Sequence, residues 1–179
     1  MKHQTTPPSG RQAHFADDEI IVTKTDARGF ITYANAVFER VSGYNENEAI
    51  GKPHNIVRHP DMPMCVFRLL WETIEAGQEI FAYVINQAKN GDHYWVLAHV
   101  TPTRDGEGRI VGYHSNRRTA TPEAVKAISG IYSELRRVEQ QYENASEATE
   151  AGLIHLRAAL AKAGKSYGEF VFSLDPVYA

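Results

Sequence analysis

The sequence contains one cysteine, Cys65, among its 179 residues, and it has no long hydrophobic run. A single cysteine cannot form a disulfide within the chain, and no Cys and His residues have the spacing of a zinc motif. No stretch approaches the ~20 apolar residues that a membrane-spanning helix needs. The core must therefore depend on packing alone, and a reducing compartment, by default the cytoplasm, is predicted.

Charge of one sign is also scarce, because 19 Lys and Arg residues face 22 Asp and Glu residues. A net charge of -3 offers no broad basic surface for nucleic acid, although Arg117 and Arg118 remain available for local contacts. Residues 1 to 16 lack the apolar segment of a secretory signal and are predicted to form a flexible leader. No nucleophile elbow, phosphate-binding glycine loop or kinase segment occurs, so no enzymatic activity and no catalytic residue is predicted.

The first half of the chain predicts a hairpin followed by helices. β-Branched residues and a turn signal within residues 20 to 33 indicate two short strands. Asn35 is well placed to cap the next helix, which ends at Gly43. A second helix of about 13 residues is predicted from Pro63 to Gly77.

Three longer strands are predicted next, over Ile80 to Lys89, His93 to Thr103 and Arg109 to Arg118. The first two flank Asn90-Gly91, a dipeptide that favours a type I′ hairpin turn. Two strands, short helices and three antiparallel strands together indicate an α+β fold, in which a five-stranded antiparallel sheet carries helices on one face.

Both faces of the middle strand carry apolar side chains. Period two places Tyr94 and Val96 on one face and Trp95 and Leu97 on the other. A sheet with helices on one face only should be polar on its other face, so the second face must also be covered. Either a partner chain or an appended helix could cover it.

Residues 121 to 164 predict a helical, coiled-coil-like extension that begins with a Thr cap and Pro122. Apolar residues recur at intervals of 4 and 3 from Ala124 to Ala145, which is the heptad seam of a coiled coil and favours a homodimer. The helical pattern then restarts out of register. The apolar tail, residues 165 to 179, is expected to dock at an unspecified place.

The most distinctive segment is Arg58-His59-Pro60-Asp61-Met62-Pro63, between two predicted helices. One interpretation is an ion-paired loop whose Asp61 caps the helix that begins at Pro63. A second is a polar rim over a ligand pocket, in which Arg58 binds an anionic group. A third is a metal site formed by His54, His59 and Asp61, but this spacing matches no established motif and no metal is predicted.

This segment, together with Val41-Ser42-Gly43-Tyr44 and the run from Lys89 to Val96, resembles the flavin-binding PAS domains of bacterial aerotaxis receptors. The resemblance covers roughly residues 17 to 120 and implies the strand order 2-1-5-4-3. It also implies a soluble sensory module in which FAD lies between the helices and the inner face of the sheet. The redox state of the flavin would set an output to a downstream signalling protein, either chemoreceptor-like or a kinase.

The resemblance implies a set of flavin contacts: Asn35, Arg58, His59, Asp61, Trp71, Asn86 and His114. Asn86 would present its amide to the ring, and His114 takes the place of a glutamine that light-sensing flavin PAS domains often carry. Simpler interpretations exist for three of them: a helix cap for Asn35, helix packing for Trp71 and an ordinary strand position for His114.

The chain also departs from the receptor pattern. It has Ile80-Phe81-Ala82 where the receptors show Trp-x-Gly, and Asn86-Gln87-Ala88 where they show Asn-Arg-Arg. Cys65 does not lie in the helix that carries the photoactive thiol of light sensors. The alternatives are therefore a dimerisation or adaptor module with an empty or differently liganded pocket, and haem binding through His59 or His114.

Overall fold

The computed structural model describes residues 6 to 175. Its sheet comprises β1 (Ile21–Asp26), β2 (Ile31–Ala34), β3 (Ile80–Gln87), β4 (His93–Arg104) and β5 (Ile110–Thr119). The strand order is β2-β1-β5-β4-β3, and every neighbouring pair is antiparallel. Both the predicted five-stranded α+β sheet and the strand order implied by the resemblance are confirmed.

Short helices between β2 and β3 cover one face of the sheet, here called the inner face. They are α1 (Ala36–Ser42), α2 (Glu46–Ala49), a 3-10 turn (His54–Val57) and α3 (Met64–Glu75). Phe38 of α1 and Val66 of α3 are fully buried with Val96 of β4 in one apolar core. The predicted second helix is therefore present, with 12 residues.

The hairpin between β3 and β4 differs from the predicted type I′ turn. Asn90 lacks the positive φ that such a turn requires, since no described residue other than glycine has one. Gly91 has a φ of 91°, its N–H donates to the carbonyl of Ala88, and Ala88 N–H donates to Asp92. These bonds define a three-residue loop in which only the last residue needs the left-handed conformation.

The outer face of β3 and β4 is covered by α4 (Pro122–Glu139) and α6 (Tyr167–Phe172), while α5 (Ala145–Ala163) packs against α3 and α4. Tyr132 of α4 donates a hydrogen bond to the carbonyl of Tyr83, and its ring lies 6.0 Å from that of Trp95. Phe172 of α6 lies 4.8 Å from Phe81 of β3. Appended helices, rather than a partner chain, therefore cover the second face.

The predicted heptad seam packs largely into the core of its own chain. α4 ends at Glu139, and Tyr142, a predicted seam residue, is 44% exposed. Ile128 and Leu135 are buried within the chain itself. Association with a second chain costs translational freedom, whereas packing on the same chain does not. The seam therefore packs inward.

Both ends of the described region contact the domain. Ser9 N–H donates to the carbonyl of Gly91 at 2.8 Å, and Arg11 and Ala13 pair with His93. This part of the predicted flexible leader is therefore docked on the β3–β4 hairpin. The predicted docking of the tail is seen in α6, while residues 176 to 179 lie outside the described residues. No helix within residues 6 to 175 combines the length and the apolarity needed to cross a membrane.

Candidate functional site

A cavity of about 440 Å³ lies between α3, the 3-10 turn and the inner face of the sheet. Ligand pockets in proteins usually have volumes of about 300 to 1,000 Å³. Its apolar wall includes Phe67, Leu70, Trp71, Val84, Ala98 and Val100, and its polar groups include Thr23, Thr25, His54, Asn86, Ser115 and Arg117. The cavity is therefore large enough for a heteroaromatic ligand and has polar groups to orient one.

The sequence builds this cavity through the period-two alternation of its strands. Val84 pairs with Val96, Ala98 with Arg117 and Val100 with Ser115, and paired residues share a face of the sheet. Positions two apart on β5 therefore bring Ser115 and Arg117 to the same inner surface. This alternation in β5 was the signal by which both residues could have been found from the sequence.

Four buried polar atoms, each in a residue that lines the cavity, have no hydrogen-bond partner among the described residues. They are Thr25 Oγ1, Asn86 Nδ2, Ser115 Oγ and Arg117 Nη1. Each unsatisfied buried group costs about 1 to 3 kcal/mol, and such groups are rare in folded proteins. Their concentration around one cavity gives it polar groups that are free to bind a polar ligand.

Arg117 is the most unusual of these residues because it is charged and only 3% exposed. Its Nη2 donates to Thr23 Oγ1 at 2.5 Å and to His54 Nε2 at 2.6 Å, and both partners are neutral groups. Burial, assisted by the charge of Arg117, lowers the pKa of His54 to about 3. Burial also lowers the pKa of Arg117 to about 10, so its guanidinium remains charged at neutral pH.

Arg58 lines the cavity near α3, as the ligand-rim interpretation predicted. Its guanidinium lies 4.5 Å from the centre of the Phe67 ring, within the range of a cation–π contact. Burial lowers the pKa of Arg58, and the nearby carboxylate of Glu139 opposes this shift. The backbone of Arg58 also forms an isolated antiparallel bridge with Asn86. Arg58 and Asn86 are thus brought together at one site.

Trp71 contributes the aromatic wall of the cavity. Its ring lies edge-on to that of Tyr113, with the centroids 5.5 Å apart. A Cβ atom on Gly29 would lie 2.8 Å from Trp71 Cη2, and Gly29 has a φ of 82°. Glycine is therefore required at this turn both for its backbone conformation and for the space that the indole occupies.

His59 and Asp61 do not line this cavity. His59 is buried beside His93, with ring centroids 6.0 Å apart, and its Nδ1 accepts the N–H of Asp61. The Asp61 carboxylate pairs with Arg136 of α4 at 2.5 Å. The interpretation of an ion-paired loop is therefore correct, but the pairing ties the loop to α4. Within residues 6 to 175, no cluster of three His, Cys, Asp or Glu residues suits a metal.

The predicted cap of α3 by Asp61 is wrong. Pro63 is the N-cap residue and makes no side-chain hydrogen bond. Instead, the buried carboxylate of Glu139 accepts the N–H groups of Met64 at 3.0 Å and Cys65 at 2.8 Å. Sequence reasoning missed this role because the capping residue lies on another helix, 74 positions after Cys65.

Asn35 and His114 also lie away from the cavity. Asn35 caps α1 by accepting the N–H of Phe38, and its side chain also hydrogen-bonds the backbone of Ile20 and Val22. Asn35 is therefore a helix cap, as in the simpler of its two interpretations. His114 pairs with Thr101 on the outer face, where its Nε2 contacts Asn116. The inward position on β5 belongs to Ser115, because adjacent strand residues point to opposite faces.

The appended helices reach the rim of the cavity. Thr149 of α5 is one of its lining residues. A Cβ atom on Gly152 would lie 2.9 Å from Glu139 Oε1 and 3.1 Å from Cys65 Cβ, so α5 approaches α3 very closely at this glycine. The site is therefore bounded by the sensor-like domain and also by its C-terminal extension.

Both the sequence and the fold resemble those of known proteins. A family model described as the PAS fold matches residues 16 to 115. The aerotaxis receptor of Escherichia coli K12 is 46% identical over 120 residues, which are 67% of this chain and 24% of the receptor. A nitrogen fixation regulatory protein of Klebsiella pneumoniae is 28% identical over 141 residues, 79% of this chain and 26% of that protein.

Among solved structures, a light-oxygen-voltage domain studied with a flavin analogue superposes with a TM-score of 0.55 and 21% identity. The match covers 64% of this chain and 86% of that one, and it reflects a shared fold. The chain spans about a quarter of the length of the two curated relatives.

Proposed function

The chain belongs to the PAS family, and from that premise we propose that it is a non-enzymatic sensor that binds FAD in the cavity beneath α3. In this proposal the C-terminal helices relay the redox state of the flavin to a separate protein. The flavin supplies a ring that takes up electrons and protons reversibly when bound.

The observation that carries the proposal is the set of four unpartnered polar atoms in residues that line the cavity. They come from Thr25, Asn86, Ser115 and Arg117. One amide, two hydroxyls and a guanidinium suit a flavin, whose ring edge combines carbonyl oxygens with ring nitrogens. Trp71 and Phe67 supply apolar surface for the ring itself. The residues present therefore fit the group, whereas in an adaptor without a ligand only water could satisfy such atoms.

The charges around the cavity also favour a phosphate-bearing ligand. Arg28, Arg58, Arg68 and Arg117 line it, whereas none of its described lining residues is Asp or Glu. Arg28 and Arg68 are more than half exposed and lie toward solvent, while Arg117 is buried. Arginine binds phosphate oxygens well, so the exposed cations suit the pyrophosphate of a dinucleotide.

We assign direct contacts with the ligand to Arg58, Trp71 and Asn86. His59 and Asp61 act indirectly in this proposal, because they fix the loop between the 3-10 turn and α3 to Arg136 of α4. Asn35 contributes only by holding α1, and His114 is not among the contacts.

The relay would pass from the cavity to α4 through Glu139. This carboxylate acts electrostatically on Arg58, which lines the cavity, and it also caps α3. Any change of charge in the cavity alters the field at Arg58 and so the balance of its attraction to Glu139. The loop between the 3-10 turn and α3 is also tied to α4, by the Asp61–Arg136 ion pair. A displacement of this loop would therefore move the turn of α4 that precedes Glu139.

The proposed partner is a downstream signalling protein, either chemoreceptor-like or a kinase, in the cytoplasm. A homodimer remains part of the proposal, but the seam of α4 is occupied by its own sheet. Contacts between two copies must therefore use another surface.

An experiment on adjacent residues of β5 tests FAD binding at this site. Ser115→Val would place a larger apolar group in the cavity, whereas His114→Val changes the opposite face of the sheet. We expect the full-length wild-type protein to be purified with a flavin absorption spectrum, and the released flavin to be FAD. His114→Val should retain it, and Ser115→Val should lose at least half of it.

Two results would overturn the proposal. A colourless wild-type protein that does not take up added FAD would refute flavin binding, and a strong Soret band would indicate haem instead. Equal loss of FAD in both variants would refute the assignment of the cavity, provided that circular dichroism shows both to be folded.

A further inference from the structure

The most buried charged residue that lines the cavity is Arg117, and no carboxylate among the described residues pairs with it. Its Nη2 is held by Thr23 and His54, while its Nη1 has no hydrogen-bond partner among the described residues. Across the sheet it pairs with Ile21 of β1 and Ala98 of β4, which carry no charge.

The titratable groups nearest to Arg117 cannot supply a counter-charge at neutral pH. Burial raises the pKa of Tyr94, so its phenol stays protonated, and the imidazole of His54 stays neutral. Arg58, which also lines the cavity, is another cation. A buried charge without a counter-ion is strongly unfavourable in the ligand-free protein, because desolvation is not compensated.

We propose that Arg117 is a specificity-determining residue whose guanidinium contacts the bound ring and selects a ligand that becomes anionic there on reduction. This inference rests on the proposed binding of FAD in the same cavity. Arg117 Nη1 supplies the missing hydrogen bond to an acceptor at the ring edge, and its charge compensates the anion.

The charge fixes how many protons accompany reduction. An external two-electron donor would reduce a bound flavin, and Arg117 would favour the reduced form that has taken up two electrons and one proton and carries one negative charge. In an uncharged cavity at the same pH, the favoured reduced ring takes up two electrons and two protons and is neutral. A cation within contact distance favours the charged form by the electrostatic rule that governs shifted pKa values.

Arg117→Met tests this inference with three readouts on the full-length chain. FAD should bind about 10- to 100-fold more weakly, because a charge-assisted hydrogen bond is lost. Near neutral pH, the slope of the midpoint potential against pH should correspond to one proton per two electrons in the wild type and to two protons per two electrons in the variant. The ligand-free variant should melt at a higher temperature than the ligand-free wild type, since an unpaired buried charge has been removed. Thr23 and His54 can keep their own hydrogen bond, which is 3.0 Å long.

Two further variants serve as controls. Arg117→Lys keeps the charge without the planar guanidinium, so it should keep the one-proton behaviour while binding FAD less tightly. Arg118→Met changes the adjacent residue, which is exposed and belongs to the outer face. It should match the wild type in affinity and in proton uptake.

The outcomes separate this inference from the proposed function. If the wild type binds no FAD, the proposed function fails and this inference fails with it. If the wild type binds FAD and Arg117→Met keeps the wild-type affinity and proton count, only this inference is overturned. If Arg117→Met does not fold, the wild type and Arg117→Lys still test the inference. Uptake of two protons per two electrons near neutral pH by either of these proteins would refute it.

Discussion

Glu139 caps helix α3 by accepting the backbone N–H of Cys65 at 2.8 Å. Its second oxygen accepts Met64 N–H, so one carboxylate from the end of α4 satisfies two donors of the first turn of α3. A negative charge at a helix N-terminus is further stabilised by the helix dipole. The position of α4 is therefore coupled directly to the helix that forms one wall of the cavity.

Substitution of Glu139 should destabilise the fold. Glu139→Gln keeps one acceptor oxygen but loses the charge, so we expect a loss of about 1 kcal/mol in the free energy of unfolding. Glu139→Ala leaves both N–H groups without an acceptor and should cost about 2 to 3 kcal/mol. Denaturant unfolding measures both values. Glu143→Gln, at an exposed position, should change the free energy of unfolding little. An equal loss of stability in this variant would contradict the capping role of Glu139.

Gly152 and Gly130 should respond in opposite ways to alanine. Both lie within helices, where alanine is intrinsically favoured by about 1 kcal/mol. No atom lies within 4 Å of a Cβ on Gly130, so Gly130→Ala should raise the stability. A Cβ on Gly152 meets the Glu139 carboxylate, which its hydrogen bond to Cys65 holds in place, so Gly152→Ala should lower it. Thermal unfolding of both variants provides the comparison, and a stabilised Gly152→Ala would contradict the close approach of α5.

The thiol of Cys65 should react very slowly in the folded protein. It is fully buried, and burial together with the Glu139 carboxylate raises its pKa, while only the thiolate is nucleophilic. A disulfide reagent at pH 8 should therefore label the native protein far more slowly than the denatured protein. Because α5 lies over Cys65 at Gly152, labelling should be faster in Gly152→Ala than in Gly130→Ala. Fast labelling of the native wild type would argue against the described packing of α5.

Stability should fall as the pH drops below about 6.5. Burial lowers the pKa of His54 to about 3, whereas an unfolded histidine titrates near 6.5. Between these values the unfolded state binds more protons, so the free energy of unfolding rises with pH by up to about 1.4 kcal/mol per unit. The lowered pKa of buried His59 acts in the same direction. Unfolding curves at pH 5 and 8 should show a smaller difference for His54→Gln than for the wild type. An unchanged difference would mean that His54 is not held neutral.

Much of the domain could be predicted from local sequence patterns. The alternation in β4 and the turn glycines define the three long strands. Three of the predicted ligand contacts, Arg58, Trp71 and Asn86, line one cavity, and their contact with a ligand stays a prediction. The strand order was available only through the resemblance, since hairpins alone do not fix how β1 joins β5.

The errors have physical causes in tertiary packing. The heptad pattern of α4 describes one apolar stripe, and such a stripe packs equally well on another chain or on a sheet of its own chain. The resemblance implies His114 as a ligand contact, but the inward position belongs to Ser115, because a shift of one residue along a strand reverses the face. Glu139 could not be recognised from the sequence, because its role depends on burial and on a helix 74 positions away. The alternation in β5 indicates the inward position of Arg117 but not that its charge is buried without a counter-ion.

The alternation in β5 has a further consequence for how such a site changes over time. Ser115 and Arg117 face the ligand cavity, while His114 and Arg118 face away from it. A slip of one residue in the pairing register of this strand would exchange the two sets, replacing a hydroxyl by an imidazole without any point mutation in the strand. Two different binding chemistries are thus encoded in five consecutive residues, and the register of β5 against β1 and β4 decides which of them faces the cavity.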